Sequence, residues 1–186
     1  MTTVFLSGSR KISRINNEIR DRLKNIIEKK FLVVLGDANG ADKVMQQFLA
    51  ELQYRNVIIF CSGQNLRNNV GKWEVQHIAV DPGLKGREFY AAKDKKMADI
   101  ADYGFVLWDG KSSGSIANVV ELLKKNKRSL VYFAPGKQFY SISNAAELRM
   151  LFNKCDDEAI KNISKKINLI DSLHELESSK QVAFSF

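Results

Sequence analysis

Three segments rich in Gly, Ser and Asp are the parts of this sequence best suited to chemistry. They read GSR at residues 8–10, GDANGAD at residues 36–42 and DGKSSGS at residues 109–115. Glycine lets a ligand approach the backbone closely, and the Arg10 guanidinium can clamp a phosphate with two hydrogen bonds. Amides and hydroxyls at the start of a helix form an anion site. Together the segments predict a site for a phosphate-bearing ligand.

Each segment also has a plainer interpretation. The first suits an ordinary turn between a strand and a helix, and Asp42 in the second suits a helix cap. The third suits a simple helix start, since the GxxxxGK[ST] spacing of a Walker loop is absent. Asp37, at a strand end, is the better ligand candidate, because carboxylates there accept hydrogen bonds from ribose hydroxyls. The residues predicted to contact the ligand are Gly8, Ser9, Arg10, Asp37, Asn39, Arg87, Asp109, Ser113, Gly114, Ser115 and Asn118.

The pattern around these segments is an alternation of strands and helices. Near-continuous apolar runs predict strands at residues 3–7, 31–35, 57–61, 104–108 and 129–133, and helical spacing occupies most of the intervals. Such runs are typical of parallel strands covered on both faces. The sequence therefore predicts an α/β fold, a Rossmann-like, doubly wound parallel sheet of five strands. Ligands of such sheets bind at the carboxyl edge, where the strand order reverses.

Two further stretches depart from this alternation. Residues 62–85 are long and irregular, and Asn65, Arg67, Asn68 and Asn69 predict a polar mobile lid. Residues 141–186 predict short helices, so we expect a nucleotide-binding domain at residues 1–140 with a helical C-terminal extension packed on it.

Composition limits the class of protein. The chain has 186 residues, 45% hydrophobic and 27% charged, as in one soluble domain. Cys61 and Cys155 follow no metal or redox spacing, and neither a signal peptide nor a membrane-spanning run is present. We therefore expect a cytoplasmic protein with no metal site, no cofactor and no membrane partner. The net charge of +8 permits contact with a small phosphorylated ligand or a nucleic-acid backbone, although it also suits a solvated basic surface.

Taken together, the three segments resemble the SLOG superfamily, and within it the stand-alone YspA-like branch. The resemblance covers roughly residues 3–135. The superfamily holds the Lonely-Guy phosphoribohydrolases, the DNA-processing protein of natural transformation, and nucleotide-signal sensors of bacterial defence systems. It implies a bacterial protein that binds a nucleotide or nucleoside phosphate. It also implies a homo-oligomer, with the helix at residues 86–101 near the interface through Phe89, Tyr90 and Met97.

The catalytic part of the resemblance is incomplete. The Lonely-Guy motif is PGGxGTxxE, and placing Gly114-Ser115 on its Gly-Thr puts Asn118 at the position of its Glu. Asparagine cannot serve as a nucleophile or a general base. If the protein cleaves an N-glycosidic bond, the substitute carboxylate is Glu88 or Glu121, although Glu121 better suits a salt bridge or a surface position, so we expect Glu88.

Three functions therefore remain open on the sequence. The first is cleavage or transfer of the N-glycosidic bond of a nucleotide, in the manner of a hydrolase. The second is non-catalytic sensing of a nucleotide-derived signal, which accounts for a pocket without a catalytic Glu. The third is binding of single-stranded nucleic acid, which the positive charge favours.

Overall fold

The computed structural model describes residues 1–183, with side chains as far as residue 178. Its strands are β1 (Thr3–Gly8), β2 (Leu32–Gly36), β3 (Val57–Ser62), β4 (Glu74–Ile78), β5 (Tyr103–Trp108), β6 (Ser129–Phe133) and β7 (Gln138–Ile142). Its helices are α1 (Asn17–Glu28), α2 (Ala41–Glu51), α3 (Gly86–Ile100), α4 (Ser113–Lys124), α5 (Ala145–Phe152), α6 (Asp157–Ile167) and α7 (Leu169–Ala183).

The strands form a single sheet in the order β4-β3-β2-β1-β5-β6-β7. The pairings from β4 through to β6 are parallel, and β7 pairs antiparallel with β6. The chain runs outward from β1 to β4 and then crosses to β5 on the other side of β1. The strand order therefore reverses between β1 and β5, as a doubly wound Rossmann-like sheet requires.

Apolar residues cover both faces of the central strands, as the continuous apolar runs predict. Phe5, Val34 and Phe60 face α3 and α4 in one buried cluster with Met97 and Leu122. The alternate strand residues face the other way, into a second cluster with the buried side chains of α1 and α2. Neighbouring residues of a strand point to opposite faces of the sheet. The helices on each face therefore pack against a separate set of buried apolar side chains.

The sheet has seven strands, where the sequence predicts five. The missed strands, β4 and β7, lie at the two edges. Most residues of both are partly or fully exposed, so neither carries a continuous apolar run. Continuous apolar runs predict strands that are buried on both faces, and therefore do not predict these two edge strands.

The C-terminal helices α5 to α7 are packed on the sheet domain. Leu148, Ile163 and Leu169 join Trp108 and Val120 in one buried cluster. Strand β7 crosses the expected boundary at residue 140 and contributes Ile142 to the same cluster. Among the described residues, no helix is long and apolar enough to cross a membrane.

Candidate ligand-binding cleft

A cleft of about 580 Å³ opens at the carboxyl edge of the sheet, between the loops after β1 and β5. This is the position of the strand-order reversal, where open α/β sheets bind their ligands. Its volume falls within the range of small-molecule sites. Nine of the predicted ligand residues line it: Gly8, Ser9, Arg10, Arg87, Asp109, Ser113, Gly114, Ser115 and Asn118.

The loops after β1 and β5 hold each other in place. The Ser9 hydroxyl donates to Asp109 Oδ2 at 2.8 Å. The other oxygen of Asp109 accepts the amides of Lys111 and Ser112, at 3.1 and 2.7 Å. Gly8 packs closely against β5, and a β-carbon at this position would lie only 2.5 Å from the Leu107 carbonyl oxygen. Ser9, Asp109 and Gly8 therefore shape the cleft through contacts within the protein.

The amino end of α4 faces the cleft with its backbone amides open. The helix starts after Ser112, whose side chain makes no capping hydrogen bond. Nothing lies within 4 Å of the place where a β-carbon of Gly114 would be. The Ser115 hydroxyl contacts only its neighbour Ser112, at 3.2 Å between oxygens. The first amides of a helix carry partial positive charge and accept anions readily.

Asp37 does not line the cleft, and the structure gives it an internal partner. It is 1% exposed, and Arg67 binds it with two guanidinium nitrogens at 2.9 and 2.5 Å and with its backbone amide at 3.2 Å. Burial alone would raise the pKa of Asp37, but the hydrogen bonds and charge of Arg67 hold it below its ordinary value. Its carboxylate oxygens are therefore engaged by protein rather than offered to a ribose.

The loop around Arg67 is hydrogen-bonded to the loop after β2 and to α2, and its predicted mobility stays a prediction. The Asn68 amide donates to the Asp37 carbonyl at 2.8 Å and to the Asn39 side chain at 3.0 Å. Gln46 of α2 accepts the Val70 amide at 2.9 Å. Asn39 is thus an exposed anchor for this loop, and like Asp37 it is not among the residues lining the cleft.

The floor of the cleft holds a charged cluster that the sequence analysis did not identify. Lys93 of α3 is 4% exposed and pairs with Asp94 at 2.6 Å. A β-carbon at Gly36 would lie 2.5 Å from both Lys93 Nζ and Asp42 Oδ2, so only glycine leaves room for both groups. Burial acts to lower the pKa of Lys93, but Asp94, Asp42 and Asp37 raise it overall. Lys93 is therefore a buried cation.

Asp42 carries the most perturbed carboxyl of the floor. Burial raises its pKa to about 6, against the opposing charge of Lys93. Its Oδ2 accepts the Ala38 amide at 3.2 Å. Asp42 thus closes the loop after β2 instead of capping α2, whose preceding residue, Gly40, makes no side-chain cap.

Two further polar groups lie in the cleft wall. The Ser7 hydroxyl is 4% exposed and has no hydrogen-bond partner. Asn118, on α4, is also buried and lines the cleft. A buried hydroxyl without a partner is uncommon in folded proteins, and a bound ligand is one way of satisfying it.

Glu88 does not line the cleft, although Gly86 and Arg87 of the same helix turn do. Glu88 is exposed and is not among the lining residues. The carboxylates that do line the cleft are Asp42, Asp94 and Asp109. Met97, which the sequence places near a subunit interface, is buried in the core of this chain. The expected homo-oligomer stays a prediction.

Cationic groups outnumber carboxylates in the cleft. Seven cationic side chains line it: Arg10, Lys11, Arg67, Arg87, Lys93, Lys111 and Lys166. Arg10 and Arg67 also lie by the Tyr90 ring, with guanidinium carbons 5.3 and 4.4 Å from its centre. The cleft therefore suits an anionic ligand. In the described part of the chain, no group of His, Cys, Asp and Glu side chains could hold a metal ion.

A signal for the missed residues does exist in the sequence. Tyr90, Lys93 and Met97 share one face of α3 through their spacing of three and four residues, and Met97 is apolar. A lysine on an apolar stripe can be recognised as buried. Arg67 and Lys166 carry no such signal, because each reaches the cleft from a separate part of the chain.

Comparison with protein-family models and with curated proteins gives no match. Two solved structures are similar in fold. DNA processing protein A from Helicobacter pylori, described for its single-stranded DNA binding mode, gives a TM-score of 0.55 at 16% identity, over 91% of this chain and 80% of that one. DNA processing protein A from Streptococcus pneumoniae gives 0.51 at 16% identity, over 70% of this chain and 50% of that one. The fold of this chain is therefore similar to the fold of DNA processing protein A.

Proposed function

We propose that this protein binds single-stranded nucleic acid, with a phosphate of the strand held in the cleft. The observation that carries the proposal is the open amino end of α4 facing a cleft with an excess of cations. Helix amides and flexible lysines contact phosphate oxygens without reading sequence. The single-stranded DNA binding stated for the Helicobacter pylori protein of similar fold favours a strand as the ligand.

The contacts divide into two kinds. The amides of residues 113–115 offer fixed donors, whereas Arg10 and Lys111 offer charge from exposed side chains. Tyr90 adds an aromatic ring beside two arginines. Proteins that bind single strands combine a positive groove with aromatic side chains. The cleft has both features, although the Tyr90 ring is already in contact with Arg10 and Arg67.

Fluorescence anisotropy of a labelled thymidine oligonucleotide, measured over a range of salt concentrations, tests the proposal. We expect Arg10→Ala to weaken binding about tenfold or more, since a hydrogen bond to a charged group is worth about 1.5–3 kcal/mol. Lys111→Met should reduce the salt dependence by the equivalent of about one phosphate contact. Lys29→Met, which removes an exposed cation just before β2 at the opposite edge of the sheet, is the matched control. Equal affinity of Arg10→Ala and the control would contradict the proposal.

A free nucleotide is the second candidate ligand, and the Ser7 hydroxyl favours it. An unpaired hydroxyl in the wall of a cleft of about 580 Å³ suits a ligand that enters deeply. On this alternative the protein senses a nucleotide-derived signal, as the sensor members of the SLOG superfamily do. Competition of AMP or ADP-ribose against the labelled oligonucleotide separates the two. Tight binding of the nucleotide, with weak binding of the strand, would favour the second candidate.

Cleavage of an N-glycosidic bond finds no added support at this cleft. Such cleavage develops positive charge on the ribose, which calls for a nearby carboxylate. Glu88 is outside the cleft, Asp94 is paired with Lys93, and Asp109 accepts three hydrogen bonds. Asn118 adds no charge. The proposal is therefore confined to binding.

A further inference from the structure

The C-terminal extension reaches the cleft at one point. Lys166, in the last turn of α6, is among the lining residues, although it lies far along the chain from the sheet domain. No other described residue of the extension lines the cleft. The sequence predicts no role for the extension beyond packing on the sheet domain, so this contact calls for an explanation.

Packing fixes the position of α6. Ile163 is buried, and Ile160 and Ile167 pack against the same apolar cluster as Trp108 and α4. The lysines Lys161, Lys165 and Lys166 are exposed, which is the pattern of an amphipathic helix lying on a core. Lys166 therefore approaches the cleft from a helix whose other face is anchored.

A hydrogen bond joins the end of α6 to the start of α3. The Arg87 guanidinium donates to the Lys166 backbone carbonyl. Carbonyls in the last turn of a helix lack partners within the helix, and α6 ends at Asn168, which adopts a left-handed conformation at φ 46°. Arg87 thus satisfies one of these carbonyls, at a residue that lines the cleft.

The position of Lys166 at the end of α6 also has a simpler explanation, which an experiment can distinguish from ligand binding. Cations near the carboxyl end of a helix interact favourably with its dipole. Lys165 and Lys166 both occupy this position in α6 and both are exposed. Only Lys166 lines the cleft, however, so the dipole does not explain the difference between them.

We propose that the extension supplies a phosphate-binding cation to the cleft, the Lys166 side chain, and that Arg87 is its positioning residue. The inference rests on the proposed function, since it takes the ligand to be a phosphodiester strand. The inference also changes the role of Arg87. The sequence predicts Arg87 as a ligand contact, whereas the guanidinium of Arg87 is directed at α6. Lys166 and Arg67 then line the same cleft, which the amino end of α4 also faces.

The test compares Lys166→Met with Lys165→Met, using the labelled thymidine oligonucleotide and inorganic pyrophosphate as probes. Both variants remove one exposed cation from the same helix turn, so their thermal stabilities should match. We expect Lys166→Met to weaken oligonucleotide binding several-fold and to lower the slope of log K against log salt by about 0.7, the value for one phosphate contact on a single strand. Lys165→Met should keep the wild-type slope.

A double variant tests the role of Arg87. If Arg87 acts through Lys166, then Arg87→Ala with Lys166→Met should lose about one contact in the salt slope, as Lys166→Met does alone. Loss of two contacts would show that Arg87 binds phosphate itself and would overturn its positioning role.

The remaining outcomes separate this inference from the proposed function. Identical slopes for Lys166→Met and Lys165→Met, in a protein whose binding still depends on Arg10, would overturn the inference and leave the function in place. Failure of the wild-type protein to bind either probe would overturn both.

Discussion

The loops that follow β2 and β5 are alike in composition and different in use. Both are rich in Gly with a leading Asp, at residues 36–42 and 109–115. In the loop after β2, Asp37 and Asp42 are buried and bonded to protein. In the loop after β5, Asp109 holds the turn and the following helix amides stay open. The comparison shows that the partners a loop meets, more than its own residues, decide whether its polar groups stay free for a ligand.

The partner of the first loop comes from the long segment after β3. Arg67 reaches Asp37, and Gln46 and Asn68 tie the same segment to β2 and α2. Among the described residues, no comparable segment covers the loop after β5, where Gly114 has open space beside it. The contacts of the loop after β2 therefore stabilise the fold, whereas the loop after β5 is the one proposed to bind a ligand.

The largest effect should follow from breaking the first of these arrangements. Asp37→Asn removes the charge that Arg67 binds in a mostly buried site, and we expect a loss of about 3 kcal/mol in the free energy of unfolding. Urea unfolding measures it. Asn39→Ala, in the same loop but exposed, serves as the control and should cost less than about 1 kcal/mol. A loss below 1 kcal/mol for Asp37→Asn would mean that the loop after β2 is not held by this pair.

The pH dependence of stability gives a second, somewhat smaller effect at the same loop. The pKa of Asp42 is about 6 in the folded protein and 3.8 as its ordinary value. The folded state therefore binds a proton more tightly than the unfolded state, so stability falls as pH rises from about 4 to about 6 and stays reduced above. A shift of two units corresponds to a loss on the order of 2–3 kcal/mol.

Asp42→Asn provides the check on this titration. Between pH 4 and 6 the variant should lack the fall in unfolding free energy that the wild-type protein shows, apart from the slope of other carboxyls common to both. The lowered pKa of Asp37 acts in the opposite direction and below this window, because its carboxylate is stabilised by Arg67. Parallel pH curves for the two proteins would contradict the assignment of the slope to Asp42.

Gly8 offers a third effect, this time at the junction of β1 with β5. A β-carbon there would lie 2.5 Å from the Leu107 carbonyl oxygen and 2.7 Å from the Ala41 side chain. Neither neighbour can turn away freely, since one is backbone and the other is a methyl group on α2. Gly8→Ala should therefore cost about 1–3 kcal/mol of stability in thermal or chemical unfolding. A variant as stable as the wild type would show that the sheet can spread at this point.

The sequence predicts the central architecture and the place of the cleft for identifiable reasons. The five apolar runs correspond to the strands buried on both faces, and the Gly-rich loops after β1 and β5 meet because their strands are neighbours. Edge strands β4 and β7 lack the apolar signal. Asp37 and Arg67 pair although they are 30 residues apart in the chain. The sequence does not predict this pair, because the periodicity of residues within one element carries no information on contacts between elements.

The smallest effect should separate binding from stability at the loop after β5. Gly114 has no atom within 4 Å of its potential β-carbon, and it lies in the first turn of α4, where alanine is at least as favourable as glycine for the helix. Gly114→Ala should therefore leave the unfolding free energy equal to or slightly above that of the wild type. The added methyl group stands where a phosphate would approach the open amides, so we expect oligonucleotide binding to weaken about tenfold, or about 1.4 kcal/mol. Gly136→Ala, in the turn between β6 and β7, is a glycine control outside the cleft. Calorimetric unfolding and anisotropy on the same preparations decide the matter: unchanged affinity in a stable Gly114→Ala protein would mean that the phosphate binds elsewhere than the end of α4.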